Sequence, residues 1–252
     1  MNDSTGTACL VCGSHAVNNY HLIDGYQFVK CEGCGFVFTH PMPLQDELNE
    51  LYTGNKLAKE SYYPKSSSRL RRAFFRAWHL RKYVTSGKRA IDIGGGGGFI
   101  AEGLRLMGAD AHGFDIHEQA IAYARARFPK CGFFVNSYDQ LEAVDEPFDF
   151  VYSSEVIEHV GDLDGYMSLL AKLTREGGFV YITTPDMVSP NRPANVLNWG
   201  PFGRPLHIQY FNEGNLRILF ENYGFSFVRK LPDKKTGLKV VYTKQPSSTS
   251  LQ

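Results

Sequence analysis

From Lys88 to Thr243, short apolar and β-branched runs alternate with segments of helical period. Arg89–Ile93 reads as a strand, Gly94–Gly98 as a tight turn and Ala101–Met107 as a helix. Further strands are predicted at 109–116, 132–136, 148–153 and 178–184, with helices at 120–128 and 163–174 between them. Strands separated by helices form a parallel sheet covered by helices. The last elements break that pattern. After a helix at 213–223, strands at 225–231 and 238–243 are joined by Pro232–Gly237. That link is too short for a crossover helix, so these strands should be antiparallel.

The first 86 residues read differently. Tyr20–Lys30 is aromatic and apolar around Asp24-Gly25, which suggests a β-hairpin, and Phe36–Thr39 suggests a further short strand. His40-Pro41-Met42-Pro43 interrupts the pattern. Leu44, Leu48 and Leu51 recur at helical spacing, and Ser66–Ser68 offer caps for a helix over Arg69–Tyr83. That helix is expected to pack Phe74, Phe75 and Trp78 inward and to solvate its arginines. The resulting segments are 1–42, a ribbon; 43–86, a helical connector; 87–244, the α/β domain; and 245–252, a polar tail expected to be disordered.

Cysteine spacing changes the picture for the ribbon. Cys9-x-x-Cys12 and Cys31-x-x-Cys34 form two knuckles about twenty residues apart, the pattern of a structural zinc site. So small a segment has little core, and a metal would supply much of its folding energy. Cys131 stands apart and reads as a buried core residue at a strand start. The net charge of +1 argues against a nucleic-acid partner. No apolar run approaches a membrane span, and the N-terminus shows no signal-peptide pattern, so a cytoplasmic location is expected.

The glycine turn carries the candidate chemistry. Five glycines let the backbone turn sharply beside a ligand, and their N–H groups with the following helix N-terminus can meet an anionic or polar group. The dinucleotide spacing G-x-G-x-x-G/A fails in the register starting at Gly94, because its third position is Phe99. Asp92, Gly94, Gly96 and Gly98 instead fill acid-x-G-x-G-x-G. Asp115, about twenty residues on at a strand end, is placed to accept two ribose hydroxyls. If Ser153–Val160 is a helical turn, Glu155, Glu158 and His159 share one face. Residues 185–205 form a long Asn-, Pro- and Gly-rich loop holding Trp199 and Phe202, which reads as functional, and His207 follows it.

The acid-x-G-x-G-x-G run resembles motif I of the class I S-adenosylmethionine-dependent methyltransferases. Ser153–Val160 resembles the post-strand motif of the ubiquinone-biosynthesis O-methyltransferases. The resemblance implies a Rossmann-like α/β fold with a mostly parallel seven-stranded sheet and an antiparallel last strand. It implies S-adenosylmethionine as cofactor, held by Asp92, the three glycines, Asp115, Ile116 against the adenine, and Ser154 and Glu155 at the methionine end. Family members often carry an acid where this chain has Ser137, so Ser137, the backbone of Tyr138, or Asp139 would contact the adenine. Some members bind a divalent metal through the set that corresponds to Glu155, Glu158 and His159. Similar enzymes keep a histidine at the place of His207, so His207 and His159, with Glu158, are the candidate catalytic groups.

The ribbon followed by Phe36–Pro41 and Tyr62-Tyr63 resembles bacterial methyltransferases that act on sugars, lipids and secondary metabolites. Tyr62 or Tyr63 would close over the cofactor sulfonium. The reading is methyl transfer to a small-molecule acceptor, most simply a hydroxyl. Its alternatives are a zinc-ribbon RNA methyltransferase that uses Arg69–Lys82, and a non-catalytic zinc-ribbon binding protein.

Overall fold

The computed structural model describes residues 6–45, 47–48, 63, 65–135, 141, 144–203 and 207–246. The order of described elements is β1 (Val17–Ile23), β2 (Tyr26–Cys31), β3 (Val37–Thr39), α1 (Ser66–His79), β4 (Arg89–Ile93), α2 (Phe99–Leu106), β5 (Asp110–Asp115), α3 (Glu118–Arg127), β6 (Gly132–Val135), β7 (Phe148–Ser154), α4 (Leu163–Leu173), β8 (Thr174–Pro185), β9 (Gln209–Tyr210), α5 (Glu213–Asn222), β10 (Phe225–Lys230) and β11 (Gly237–Lys244). Short 3-10 turns occupy Ile157–His159 and Val196–Asn198.

A seven-stranded sheet runs β10-β11-β8-β7-β4-β5-β6. β4 pairs in parallel with β5 and β7, and β5 with β6, while the final strands run antiparallel. This is the expected α/β architecture. A second sheet, β1-β2-β3-β9, is antiparallel throughout. Its first hairpin turns at Asp24-Gly25, both at positive φ (49° and 85°), as a two-residue type I′ turn requires.

The chain folds into two compact units, neither continuous in sequence. One comprises 1–52, 155–167 and 182–242; the other comprises 53–154, 168–181 and 243–252. β3 pairs with β9, Val37 opposite Tyr210 and Phe38 opposite Gln209, so the ribbon shares its sheet with a strand from far downstream. Phe28, Val37, Met187, Val196, Trp199, Phe202 and Tyr210 form one apolar cluster in that unit. The 185–205 loop is thereby pinned through Trp199 and Phe202, which are core residues there.

In the other unit, α1 packs on α2. A Cβ at Gly103 would stand 3.0 Å from the Ala73 backbone, so the helices approach at a position only glycine permits. The buried face of α1 is Ala73 and Ala77. Phe75 and Trp78 are 53% and 41% exposed, contrary to the expected inward packing. Two small alanines allow the close crossing, and the bulky aromatics are left outside. Cys131 is half-buried, not a core residue; its Sγ donates to Glu102 Oε2 at 3.6 Å, just before β6. The Leu51 end of the expected connector helix and nearly all of the expected tail lie outside the described residues.

Candidate active site

β4 delivers Asp92 and the glycine turn. Gly94, Gly96 and Gly98 all have positive φ (73°, 50° and 75°), the left-handed backbone for which glycine is suited. The loop's amides are largely used within the protein. Gly94 and Gly95 N–H donate to Phe114 O (2.8 and 2.9 Å), Gly98 N–H to Gly95 O (3.0 Å), and Gly96 N–H to Asp115 Oδ2 (2.8 Å). The expectation that these N–H groups meet a ligand is thus corrected for four of the five glycines. They hold the turn in shape, with side chains packed directly on it where any Cβ would sit. Asp115 Oδ1 accepts from His117 N–H at 2.9 Å. A carboxylate accepts about four hydrogen bonds, so Asp115 keeps capacity for ribose hydroxyls while locked to the loop. Ile116 follows it, half-buried.

Asp92 is 3% exposed. Burial pushes its carboxyl well above the usual range, the nearby Asp115 charge adds to the rise, and Arg76 offsets part of it. A Cβ at Gly95 would stand 2.6 Å from Asp92 Oδ2, so the turn folds tightly over that carboxyl. Tyr63 lies against the same turn. A Cβ at Gly97 would meet its ring at 2.6 Å, and the ring packs on Phe99 and Tyr123 (centroids 5.5 and 4.5 Å). Tyr62, Ser137, Tyr138 and Asp139 lie outside the described residues.

The Ser153–Val160 segment, which passes from this unit to the other after Ser154, is not one helical turn. Ser154 is half-buried at the end of β7. Glu155 sits at φ 58°, left-handed, and only Ile157–His159 is helical. Glu155 N–H donates to Thr183 O, and Thr183 Oγ1 donates back to Glu155 Oε1, both at 2.9 Å. These bonds tie Glu155 to β8, while its carboxylate stays close enough to act on the Glu158 carboxyl. Glu158 and His159 instead join His207, with one donor atom from each within 4.8 Å of the others. The two imidazoles meet edge to face at 4.5 Å. Glu158 is fully buried; Thr184 Oγ1 donates to its Oε2 at 2.9 Å, while Oε1 has no hydrogen-bond partner and stands 4.0 Å from His159 Nε2. Burial, helped by the Glu155 charge, raises the Glu158 carboxyl well above its usual value.

Gln209, also fully buried, holds this turn. Its Nε2 donates to Ile157 O (2.6 Å) and Val160 O (2.9 Å), and Ile208 N–H donates to Glu158 O (2.9 Å). Nothing in the local spacing points to Gln209. Thr183 and Thr184 were findable as polar residues at the carboxyl end of a parallel strand, where such sheets bind ligands. Arg76, read as a solvated charge, reaches Tyr152 and Asp92.

The four ribbon cysteines converge as their spacing predicts. Cys9 Sγ lies 3.6 Å from Cys34 Sγ, and Cys12 Sγ 3.6 Å from Cys31 Sγ. All four sulfurs fall within 4.8 Å of one another. Disulfide bonds, at about 2.05 Å, are excluded by these distances. Each knuckle closes on a positive-φ glycine: Gly13 N–H donates to Cys9 O (2.9 Å) and Gly35 N–H to Cys31 O (2.8 Å).

This strand order, with an acid-x-G-x-G-x-G turn after its first parallel strand, defines a class I S-adenosylmethionine-dependent methyltransferase fold. Residues 65–230 match the methyltransferase domain family, and the chain belongs to it. Among curated proteins it is 35% identical over 127 residues to a ubiquinone biosynthesis O-methyltransferase of Sinorhizobium fredii, covering 46% of this chain and 51% of that protein. The Agrobacterium fabrum protein of the same name is 34% identical over the same length and coverage. The chain thus spans about half the length of the curated relatives it matches. Among solved structures, an S-adenosylmethionine dependent methyltransferase from Mesorhizobium loti aligns with a TM-score of 0.55 at 19% identity, covering 68% of this chain and 98% of that one. Magnesium protoporphyrin IX methyltransferase from Synechocystis PCC 6803, solved with bound SAH, aligns with a TM-score of 0.55 at 16% identity, covering 79% and 94%. These two likenesses are of fold.

Proposed function

We propose that this protein transfers a methyl group from S-adenosylmethionine to a hydroxyl of a small-molecule acceptor, such as a sugar, a lipid or a secondary metabolite. The observation that carries the reading is the glycine turn locked to Asp115, in a chain of the methyltransferase domain family. A glycine turn locked to a carboxylate that keeps acceptor capacity fits a ribose, and Tyr63 supplies an aromatic face at the same turn. When bound, the cofactor supplies an electrophilic methyl on a sulfonium. The names of the ubiquinone biosynthesis relatives support an oxygen acceptor.

The chain's own residues then handle the acceptor proton. His159 and His207 are in edge contact, and either imidazole is the candidate general base for the acceptor hydroxyl. The Glu158 carboxyl lies 4.0 Å from His159 Nε2, where it orients that imidazole. Thr184 and the Gln209 clamp fix both groups in place. Replacing His207 by Ala should lower turnover far more than cofactor affinity, and equal losses in both would remove it as the base.

A second reading rests on Glu158 Oε1, buried without a hydrogen-bond partner beside two imidazoles. Glu158, His159 and His207 would hold a divalent cation, which would lower the pKa of a bound hydroxyl. This replaces the expected set by exchanging Glu155 for His207. Turnover that survives EDTA favours the imidazole base, and turnover restored only by added Mg2+ or Zn2+ favours the cation.

For the ribbon we infer a structural Zn2+ at Cys9, Cys12, Cys31 and Cys34. Tetrahedral Zn–S bonds of about 2.3 Å place sulfurs about 3.8 Å apart, close to the separations found. Burial pushes the Cys9 thiol up to about 11, a cost that a bound cation would offset. About one zinc per chain is expected by elemental analysis.

A further inference from the structure

The face of α1 turned away from α2 is aromatic and cationic. Positions 71, 75 and 78 lie at i, i+4 and i+7, so Arg71, Phe75 and Trp78 share one side of the helix, with Arg72 and His79 flanking them. All five are exposed. Ala73 and Ala77 fill the opposite, buried side, so packing does not explain the aromatics. Residues 65–88 hold eight of the chain's 27 Lys and Arg and none of its 26 Asp and Glu. In a near-neutral protein, α1 and the residues flanking it therefore form a stretch that is purely cationic, four of the eight cations lying on the helix itself.

We propose that this face of α1 docks the protein on an anionic phospholipid surface, with Phe75 and Trp78 entering the headgroup boundary and the arginines pairing with lipid phosphates. The chemistry is complementary: interfacial helices combine Trp or Phe with Lys and Arg, and each cation near an anionic bilayer strengthens binding about fivefold. RNA suits the face less well. The Arg81 guanidinium sits 4.0 Å above the Trp78 ring centroid and covers a face that a base would stack on. A bilayer needs only the ring edge and the cation together. Among the described residues no helix is long and apolar enough to cross a membrane, so the contact is peripheral. The proposal does not depend on the acceptor or on the catalytic groups.

The test is sedimentation of the full chain with phosphatidylcholine vesicles, with and without about one-third phosphatidylglycerol. Binding is expected only to the anionic vesicles and should weaken steeply between about 0.05 and 0.5 M salt. Arg71→Glu with Arg72→Glu, and separately Phe75→Ser with Trp78→Ser, should each cut partitioning at least about tenfold. These side chains lie outside the core, and a thermal melt of each variant checks that the fold is kept. Brominated lipid should quench Trp78, while Trp199, 3% exposed, stays bright. Trp78→Phe should abolish the quenching. Equal binding to neutral vesicles, no binding to either, or quenching that persists in Trp78→Phe would overturn the proposal. So would binding of a single-stranded oligoribonucleotide, lost in the same variants, without vesicle binding.

Discussion

Gln209→Leu tests whether the β9 strand holds the Glu158–His159 turn. Gln209 Nε2 donates to two buried backbone carbonyls, at Ile157 and Val160. Leucine has a similar length but no donor, so the Val160 carbonyl would be left buried and unpaired, and the Ile157 carbonyl would keep only the 3.4 Å bond from Val160 N–H. An unpaired buried group costs about 1–3 kcal/mol. Gln209 Oε1 is itself buried without a partner, and its removal returns about 1 kcal/mol. With a weaker loss of about 1 kcal/mol at Ile157, the expected net loss is about 1–3 kcal/mol. Urea unfolding, comparing midpoints at unchanged slope, reads the loss directly. The same variant should lower turnover more than cofactor affinity, because the turn it loosens carries Glu158 and His159. A loss under about 0.5 kcal/mol, with turnover intact, would refute the clamp.

Further outcomes follow from other contacts. Gly98→Ala combines a φ of 75° with a Cβ placed 2.8 Å from Phe133 and 2.9 Å from Ala124, so it should cost about 2–4 kcal/mol in a denaturation experiment. Asp92→Asn addresses pH. A folded-state carboxyl held above its unfolded value binds more protons folded, so stability falls as pH rises from about 4 towards the folded pKa, and melts of the Asn variant should lose that slope. Cys34→Ser should release zinc to a colorimetric chelator and lower the melting temperature. It should also disturb the His207 region, because the Cys34 carbonyl accepts from Asn212 and Asn215 at the head of α5.

Much of the α/β architecture was legible because its signal is local. The strand–glycine–helix run, the alternation that follows, and the short Pro232–Gly237 link each declare themselves within a few residues. The cysteine cluster was legible for the same reason, since two knuckles carry their own turn glycines. What spacing could not show is tertiary. The β3–β9 pairing joins Phe38 to Gln209 across most of the chain, and no periodicity reports it. Helical spacing put Glu155, Glu158 and His159 on one face, but a left-handed Glu155 breaks the helix, and the third donor beside Glu158 and His159 is His207, which no spacing links to them. On α1 the pattern gave an amphipathic helix but not which side faces in. Close packing against Gly103 selected the alanines over the aromatics.

The most direct test of the central claim is calorimetric titration of the wild-type chain and Asp115→Ala with S-adenosylmethionine. The account predicts one site per chain with a Kd of about micromolar, or about −8 kcal/mol, and a large loss in the variant. No heat with S-adenosylmethionine, or heat with NADH in its place, would contradict it.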